Sequence, residues 1–305
     1  MNYLHSKYFL TGVFLAVIGT SLFALKSIFI KLAYAEGLNA DSVLMLRMVI
    51  SFPIYLIIVF WLIKYKPISS SLIYSKTPII ILLGFIGYFL SSWLDLKGLE
   101  YIGAQLERLA LFTYPIWVAI LGAIFFKTRL TLKIVLSIII SYFGLWIVFN
   151  EEAKIGGDQV FWGTAFVLLS ALTFSIYVLV SKNIIAQITS LWFTSLAMSI
   201  SSIFVIAYYF FAFDISQLQV TNEAWLWISL LAIFSTVIPS FMIAEAIHRI
   251  GGAQTGVVGM LGPIMTIAVA ASVLNEPFGW SHAIGLAFVL VGISILTLKS
   301  KKTQS

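Results

Sequence analysis

A chain of 305 residues that is 61% hydrophobic and only 10% charged, with a mean hydropathy of +1.06, cannot bury its apolar surface as a soluble fold, where about a quarter of residues are charged. It contains no cysteine, which excludes disulfides, a thiol nucleophile and Cys-ligated metal. The net charge of +6 is spread over short connections between apolar runs, so it speaks for membrane topology and against a nucleic-acid partner.

The candidate spans follow in chain order. After MNYLHSKYFL comes an apolar run longer than a signal-peptide core and containing Lys26; it is expected to remain as a first span over about 11–33. Nine more runs lie at about 42–63, 77–97, 104–126, 132–149, 160–182, 190–213, 224–247, 253–273 and 280–298. Each is near the ~20 mostly apolar residues that a spanning helix requires. The connections are short and no soluble domain interrupts them. The expected fold is all-α and integral to the membrane, with ten transmembrane helices.

Sorting the basic residues gives an orientation. With the N-terminus cytoplasmic, the cytoplasmic side holds Lys7, Lys64, Lys66, Lys76, Lys127, Arg129, Lys133, Lys182, Arg249, Lys299, Lys301 and Lys302, twelve of the eighteen. The outer ends hold Lys31, Lys97 and Lys154, while Lys26, Arg47 and Arg108 fall inside spans. Such an imbalance predicts that both termini are cytoplasmic. Acids sort the other way: Glu36, Asp41, Glu100, Glu151, Glu152, Asp158, Asp214, Glu223 and Glu276 are all outer.

The chain also repeats itself. GVFLAVIGTSLFALKSIFIK, from Gly12, lines up with GTAFVLLSALTFSIYVLVSK, from Gly163, pairing Phe23 with Phe174 and Lys31 with Lys182. YIGAQLERLALFTYPIWVAILGAIFF lines up with RIGGAQTGVVGMLGPIMTIAVAASVL after a one-residue gap, so that Ala-Gln recurs at 104–105 and 253–254, Pro at 115 and 263, and Gly at 144 and 292. Halves 1–150 and 151–305 therefore hold five spans each. An odd number makes the second half enter from the opposite side, the inverted-repeat plan common among secondary transporters, with a substrate site near mid-membrane.

These paired GAQ…P segments, together with VLNEPFGWSHAIGLAFVLVGISIL at 273–296, resemble the drug/metabolite transporter superfamily, in its ten-span form with two EamA-type repeats. The last segment is similar to the family's apolar–Gly–Glu–turn–Gly-rich ending, with Asn275 in the usual Gly position and Glu276 as the acid. The first half departs from it, since Lys127-Thr128 stand where the acid is expected. The resemblance covers essentially the whole chain and implies transport. It is weak for substrate, because the family handles amino acids, nucleotide-like metabolites, vitamins and drugs.

Charge inside hydrocarbon costs about 2.5–3.5 kcal/mol on insertion scales, so it normally faces a cavity or a partner. Lys26, Arg47, Asp95, Glu107 and Arg108 are expected at overlapping depth in the outer half. Lys26 lies roughly 10 Å and Arg47 roughly 8 Å below their span ends at 1.5 Å per residue. The second half replaces Lys26 by Tyr177, and Glu107 and Arg108 by Gly256 and Val257, leaving only Glu245 and His248 as ionisable. Spacing places Glu107, Leu111 and Tyr114 on one helix face, with Arg108 turned about 100° away. Arg108 is expected to pair with Asp95 or Glu107. Structural alternatives stand beside each: an interhelical salt bridge for Lys26, a salt-bridge network for Glu107 and Arg108, snorkelling for Arg47, a surface pair of Asp95 with Lys97, an interface role for His248, and an outer turn for Glu276.

The candidate substrate-binding residues are thus Lys26, Arg47, Trp93, Glu107, Arg108, Tyr114, Tyr177 and Gln254. Candidates for coupling or gating are Asp95, Glu107, Pro115, Glu245, His248 and Pro263, the prolines as helix kinks. An intramembrane enzyme is the first rival, but there is no H-E-x-x-H, no G-x-S-x-G and no Asp-rich diphosphate motif. His5, His248 and His282 lie in separate loops or span ends, so neither metal nor cofactor is expected. A channel lacks a recognisable filter, and a receptor or scaffold lacks a soluble domain. The expected function is a multi-pass secondary transporter of the inner or plasma membrane. It moves a small zwitterionic or anionic organic metabolite, such as an amino acid, by alternating access, as exporter or exchanger. Its partners are that substrate, the lipid bilayer and either a proton or a counter-substrate, in a monomer or weak dimer. An uptake carrier for a vitamin- or nucleotide-like metabolite is the alternative within the class.

Overall fold

A computed structural model describes residues 2–126, 131–250 and 252–297, with side chains over 8–125, 131–250, 255 and 257–295. Lys127-Thr128, the C-terminal lysines and the side chain of Gln254 lie outside the described residues. No strand occurs among the described residues. Eight helical segments are long and apolar enough to cross a membrane: Tyr8–Ala35, Ala40–Tyr65, Ser70–Leu99, Ala104–Phe125, Leu132–Gly156, Asp158–Ile188, Ser190–Ala212 and Asn222–Ile250. Two shorter apolar segments, Val257–Val273 and Trp280–Ile295, follow. They are numbered first to tenth here. Their outer surface is strongly apolar, with Phe14, Ile57, Phe60, Ile139, Trp146 and Phe211 all more than half exposed, as lipid-facing positions require.

Several segments are interrupted, and the interruptions have physical causes. The fourth is split into Ala104–Leu111 and Tyr114–Phe126, the ninth into Gly252–Gly259 and Leu261–Val273. Pro115 and Pro263 have no N–H, so the carbonyls four residues back lose their donors. Those carbonyls belong to Leu111 and Gly259, the last residues of the two leading pieces. The third and eighth segments each contain a π-helical stretch, Gly84–Leu90 and Ile233–Val237. The first is split at Leu25 with no proline at all.

Packing joins the two halves of the chain throughout. The first segment packs most heavily on the eighth, the third on the sixth, the second on the seventh and the fifth on the tenth. Exchanging the halves turns the first–eighth contact into sixth–third and returns the other two to themselves. The fifth–tenth contact is reciprocal in detail. Gly144 abuts Gly285 and Val289, seven and three residues before Gly292; Gly292 abuts Ser137 and Ser141, seven and three residues before Gly144. Ser137 Oγ donates to the Gly292 carbonyl at 2.6 Å. Bare glycine surfaces let the backbones approach closely, as in membrane helix pairs generally.

Acids gather where even-numbered segments begin. Glu100 accepts from the Ala40 N–H at 2.6 Å, Glu152 from Gly103 at 2.9 Å, and Glu276 from Ala104 at 2.7 Å and Gln105 at 3.2 Å. The first N–H groups of a helix lack internal partners, and the helix dipole favours anions there.

Candidate functional site

The charged cluster is assembled around the interruption of the first segment. Between Ala24 and Lys26 the helix slips, with Leu25 N–H bonding the Leu22 carbonyl at 3.2 Å, and two carbonyls here take side-chain donors from the second half. Thr266 Oγ1 donates to the Ala24 carbonyl at 2.8 Å and Ser235 Oγ to the Leu22 carbonyl at 2.7 Å. The break puts Lys26 and Ser27 side by side at the start of a new helix, both buried. Lys26 Nζ meets Asp95 Oδ2 at 2.5 Å and Glu107 Oε1 at 3.8 Å. Ser27 Oγ donates to the other Glu107 oxygen at 2.6 Å. The first, third and fourth segments are thereby tied together by one cation and two carboxylates, none of which is more than 7% exposed.

Two further cations stand beside this trio. Arg47 is 3% exposed and Arg108 6%, so neither reaches the headgroup level; snorkelling of Arg47 is ruled out by its burial. Asp95 is the acidic group whose field acts on Arg47. No ion pair joins Arg47 or Arg108 to a carboxylate among the described residues. The expected pairing of Arg108 with Asp95 or Glu107 is thus replaced: Lys26 takes both carboxylates. Arg108 instead lies over the Phe23 ring, 5.6 Å from its centroid, with Gly262 leaving room for it. The Lys26 ammonium lies 6.0 Å from the centroid of the same ring, so one aromatic ring serves two cations.

The cluster keeps unused hydrogen-bonding capacity of both signs. Arg47 Nε, Ser51 Oγ, Arg108 Nε and Asp95 Oδ1 are buried without a hydrogen bond, and Glu107 Oε1 has only the 3.8 Å ion pair with Lys26. Buried polar groups are usually satisfied, so such a concentration of exceptions calls for a reason. Counting Lys26, Arg47 and Arg108 against Asp95 and Glu107 leaves one net positive charge.

The remaining candidates are distributed elsewhere. Trp93 Nε1 donates to Asp41 Oδ1 at 2.8 Å; Lys97 binds Asp41 at 2.9 Å and Glu100 at 3.4 Å, and Tyr208 donates to Asp41 at 3.2 Å. Lys97 therefore pairs with Asp41, and the surface pair of Asp95 with Lys97 does not form. Tyr114 does not share a continuous face with Glu107, because the Pro115 break resets the helical register between them. Its ring meets Phe174 edge-on, 5.3 Å between centroids, and Phe174 stacks on Tyr177 at 5.6 Å. Tyr177 also shares a hydroxyl contact with Tyr88 at 2.8 Å and fills the space left by Gly87.

At the other end of the eighth segment, Glu245 binds Arg249 at 2.6 Å, and His248 Nδ1 lies 3.2 Å from Tyr8 Oη. The first of these lies within the eighth segment, the second joins it to the first segment, and both are separate from the cluster. Residues not singled out from the sequence enter the site: Ser27, Phe23 and Ser51. Ser51 stands four positions after Arg47 on one helix, its helical neighbour, whereas Phe23 stands three before Lys26 across the break at Leu25. The spacing was a signal for Ser51 alone.

Comparison with known proteins gives a family for the chain. A model of the EamA-like transporter family matches residues 10–150 and 161–298. The chain is 27% identical over 308 residues to "Uncharacterized transporter YcbK" of Bacillus subtilis (strain 168), covering 96% of each chain. It is 22% identical to "Uncharacterized transporter YetK" of the same organism, over 85% of this chain and 79% of that one. It is 27% identical to an "Uncharacterized transporter" of Archaeoglobus fulgidus, over 66% and 71%. A solved crystal structure superposes with a TM-score of 0.66 over 98% of this chain and 99% of the other, at 15% identity, a likeness of fold alone.

Proposed function

This chain belongs to the EamA-like transporter family, and from that premise we propose that it carries a small zwitterionic or anionic organic metabolite across the inner or plasma membrane by alternating access. It is a multi-pass membrane transporter. The finer reading is of two inverted five-helix halves, 1–150 and 151–305, with both termini cytoplasmic, working as an exporter or exchanger. The division is supported by the family match falling in two stretches, by the matching breaks before Pro115 and Pro263, and by the contacts that interchange when the halves are exchanged.

The observation that carries the substrate reading is the set of buried atoms around Lys26 that lack a hydrogen bond. Donors on Arg47 and Arg108 suit an acidic group, and acceptors on Asp95 and Glu107 suit an ammonium. The net positive charge favours a ligand whose acidic group is always present and whose amino group is optional. Lys26 and Ser27 hold the two carboxylates in place. Phe23, Tyr114, Phe174 and Tyr177 supply aromatic surface for the body of the molecule.

The test is a melting screen of purified protein against amino acids and small organic anions. A ligand at one hundred times its dissociation constant stabilises the folded state by ~2.7 kcal/mol. Hits are carried into proteoliposomes for counterflow. Saturable exchange of a hit that Arg47→Met abolishes is the expected result. Exchange unaffected by Arg47→Met and Glu107→Gln in folded protein overturns the site, and product formation without translocation indicates an enzyme instead.

A further inference from the structure

The leading half of the fourth segment is held from outside itself. Ala104–Leu111 is an eight-residue helix, about 12 Å long at 1.5 Å per residue. Glu276 accepts from two successive N–H groups at its start, Ala104 and Gln105. Gln105 Nε2 donates to the Pro277 carbonyl at 3.2 Å, and Gly103 N–H binds Glu152. Glu276 is some 170 residues away in sequence and is aimed by a specific turn. Asn275 has φ 54°, the left-handed region that Asn tolerates better than most residues. The Glu276 N–H then bonds back to the Ala270 carbonyl at 3.3 Å, which fixes its carboxylate against the fourth segment.

The same short helix carries Glu107 and Arg108 in its middle and ends at the Pro115-dependent break. It is a lever with a fastening at one end, the charged cluster on its side and a hinge at Phe112–Thr113. Lys31 stands within electrostatic reach of Glu276, Glu152 and Glu107 together, so the fastening and the cluster share one field. The ninth segment has the matching lever, Gly252–Gly259, and the matching hinge. Yet no Asp or Glu occurs between Glu107 and Glu151, so the connection between the fourth and fifth segments cannot supply an equivalent carboxylate.

We infer that Glu276 is the latch of a gate: it holds the Ala104–Leu111 lever closed over the charged cluster, and this end opens only when the lever leaves Glu276 and pivots at Phe112–Thr113. The connection between the fourth and fifth segments offers no carboxylate for an equivalent latch, so the resting protein is closed at the acidic end. The inference takes from the transporter reading only the reason that a gate is needed.

The chain has no native cysteine, so two introduced thiols can be spin-labelled without background. Tyr101→Cys, just before the lever, and Trp280→Cys, just after the latch turn, are both exposed positions. The full chain in lipid nanodiscs should show one compact distance population between the two labels. Glu276→Gln keeps one acceptor and should raise the ratio of a longer, open population about tenfold; Glu276→Ala should raise it further. Glu151→Gln is the control: Glu151 lies at the same end but bonds Lys154 and Ser281, not the lever, and should leave the distances alone. A merely structural Glu276 lowers the melting temperature without adding a second distance, and that result in folded Glu276→Gln protein overturns the latch. Should Glu276→Ala fail to fold, the Gln variant decides alone. A shifted distribution in a protein that moves no solute leaves the latch standing and removes the transporter reading; transport with unshifted distances in Glu276→Gln does the reverse.

Discussion

The fourth and ninth segments share a backbone plan and differ in chemistry. Each breaks at the carbonyl that its proline leaves without a donor. The fourth then carries Gln105, Glu107 and Arg108 on its leading half, all buried, where the ninth has Gly256 and Val257 at the positions aligned with the two charges. Since the same broken helix forms in the ninth without those charges, helix geometry does not require them. They belong to what the first half does and the second does not. The same contrast holds one segment pair away: Phe23 covers cations, whereas its counterpart Phe174 stacks on Tyr177.

This contrast can be broken at its strongest point first. Lys26→Ala leaves Asp95 and Glu107 buried together without the cation that pairs them, and should cost about 3–5 kcal/mol of stability, read as a lowered melting temperature. The neutral triple variant Lys26→Met, Asp95→Asn, Glu107→Gln should recover most of that stability and still fail to transport. Transport by the triple variant would make the network purely structural. Next, Gly144→Ala and Gly292→Ala each push a methyl group into the facing backbone, and should cost about 1–3 kcal/mol each. Near-equal losses are expected from reciprocal contacts; a large inequality argues that the halves are not equivalent there.

Pro115→Ala and Pro263→Ala return a donor to Leu111 and Gly259. Each should heal its break, seen as slowed amide hydrogen exchange around Thr113 or Met260, and reduce transport about tenfold through a stiffened hinge. An effect confined to Pro115 would place all hinge motion in the first half. The smallest stability change is expected for Arg47→Met. Replacing a buried, unpaired cation by an apolar side chain of similar length should leave the melting temperature equal or higher, while the melting response to an anionic ligand disappears.

Local signals made the spans and the two proline breaks legible in the sequence, because both depend on residues within one or two turns. The first-segment break at Leu25 carried no such signal. It is stabilised by Thr266 and Ser235, more than 200 residues away, and no local pattern announces it. The same distance hid the roles of Glu276 and Asp41. Acid sorting was visible, but its cause is partly different from topology. Acidic residues contribute little to the orientation rule, whereas the ends at which even-numbered helices begin offer unpaired N–H groups that carboxylates satisfy. The Tyr114 face was misjudged because helical periodicity was carried across the break at Phe112–Thr113.

The seam at Leu25 has a kinetic consequence. The Leu22 and Ala24 carbonyls of the first half are held by hydroxyls from the eighth and ninth segments, in the second. Any rocking of one half against the other along this seam breaks both hydroxyl contacts at once, leaving the Leu22 carbonyl with only the Leu25 N–H at 3.2 Å. Turnover should therefore carry a large activation enthalpy and slow steeply on cooling. Thr266→Val and Ser235→Ala, which remove those hydroxyl contacts in every conformation, should flatten that dependence.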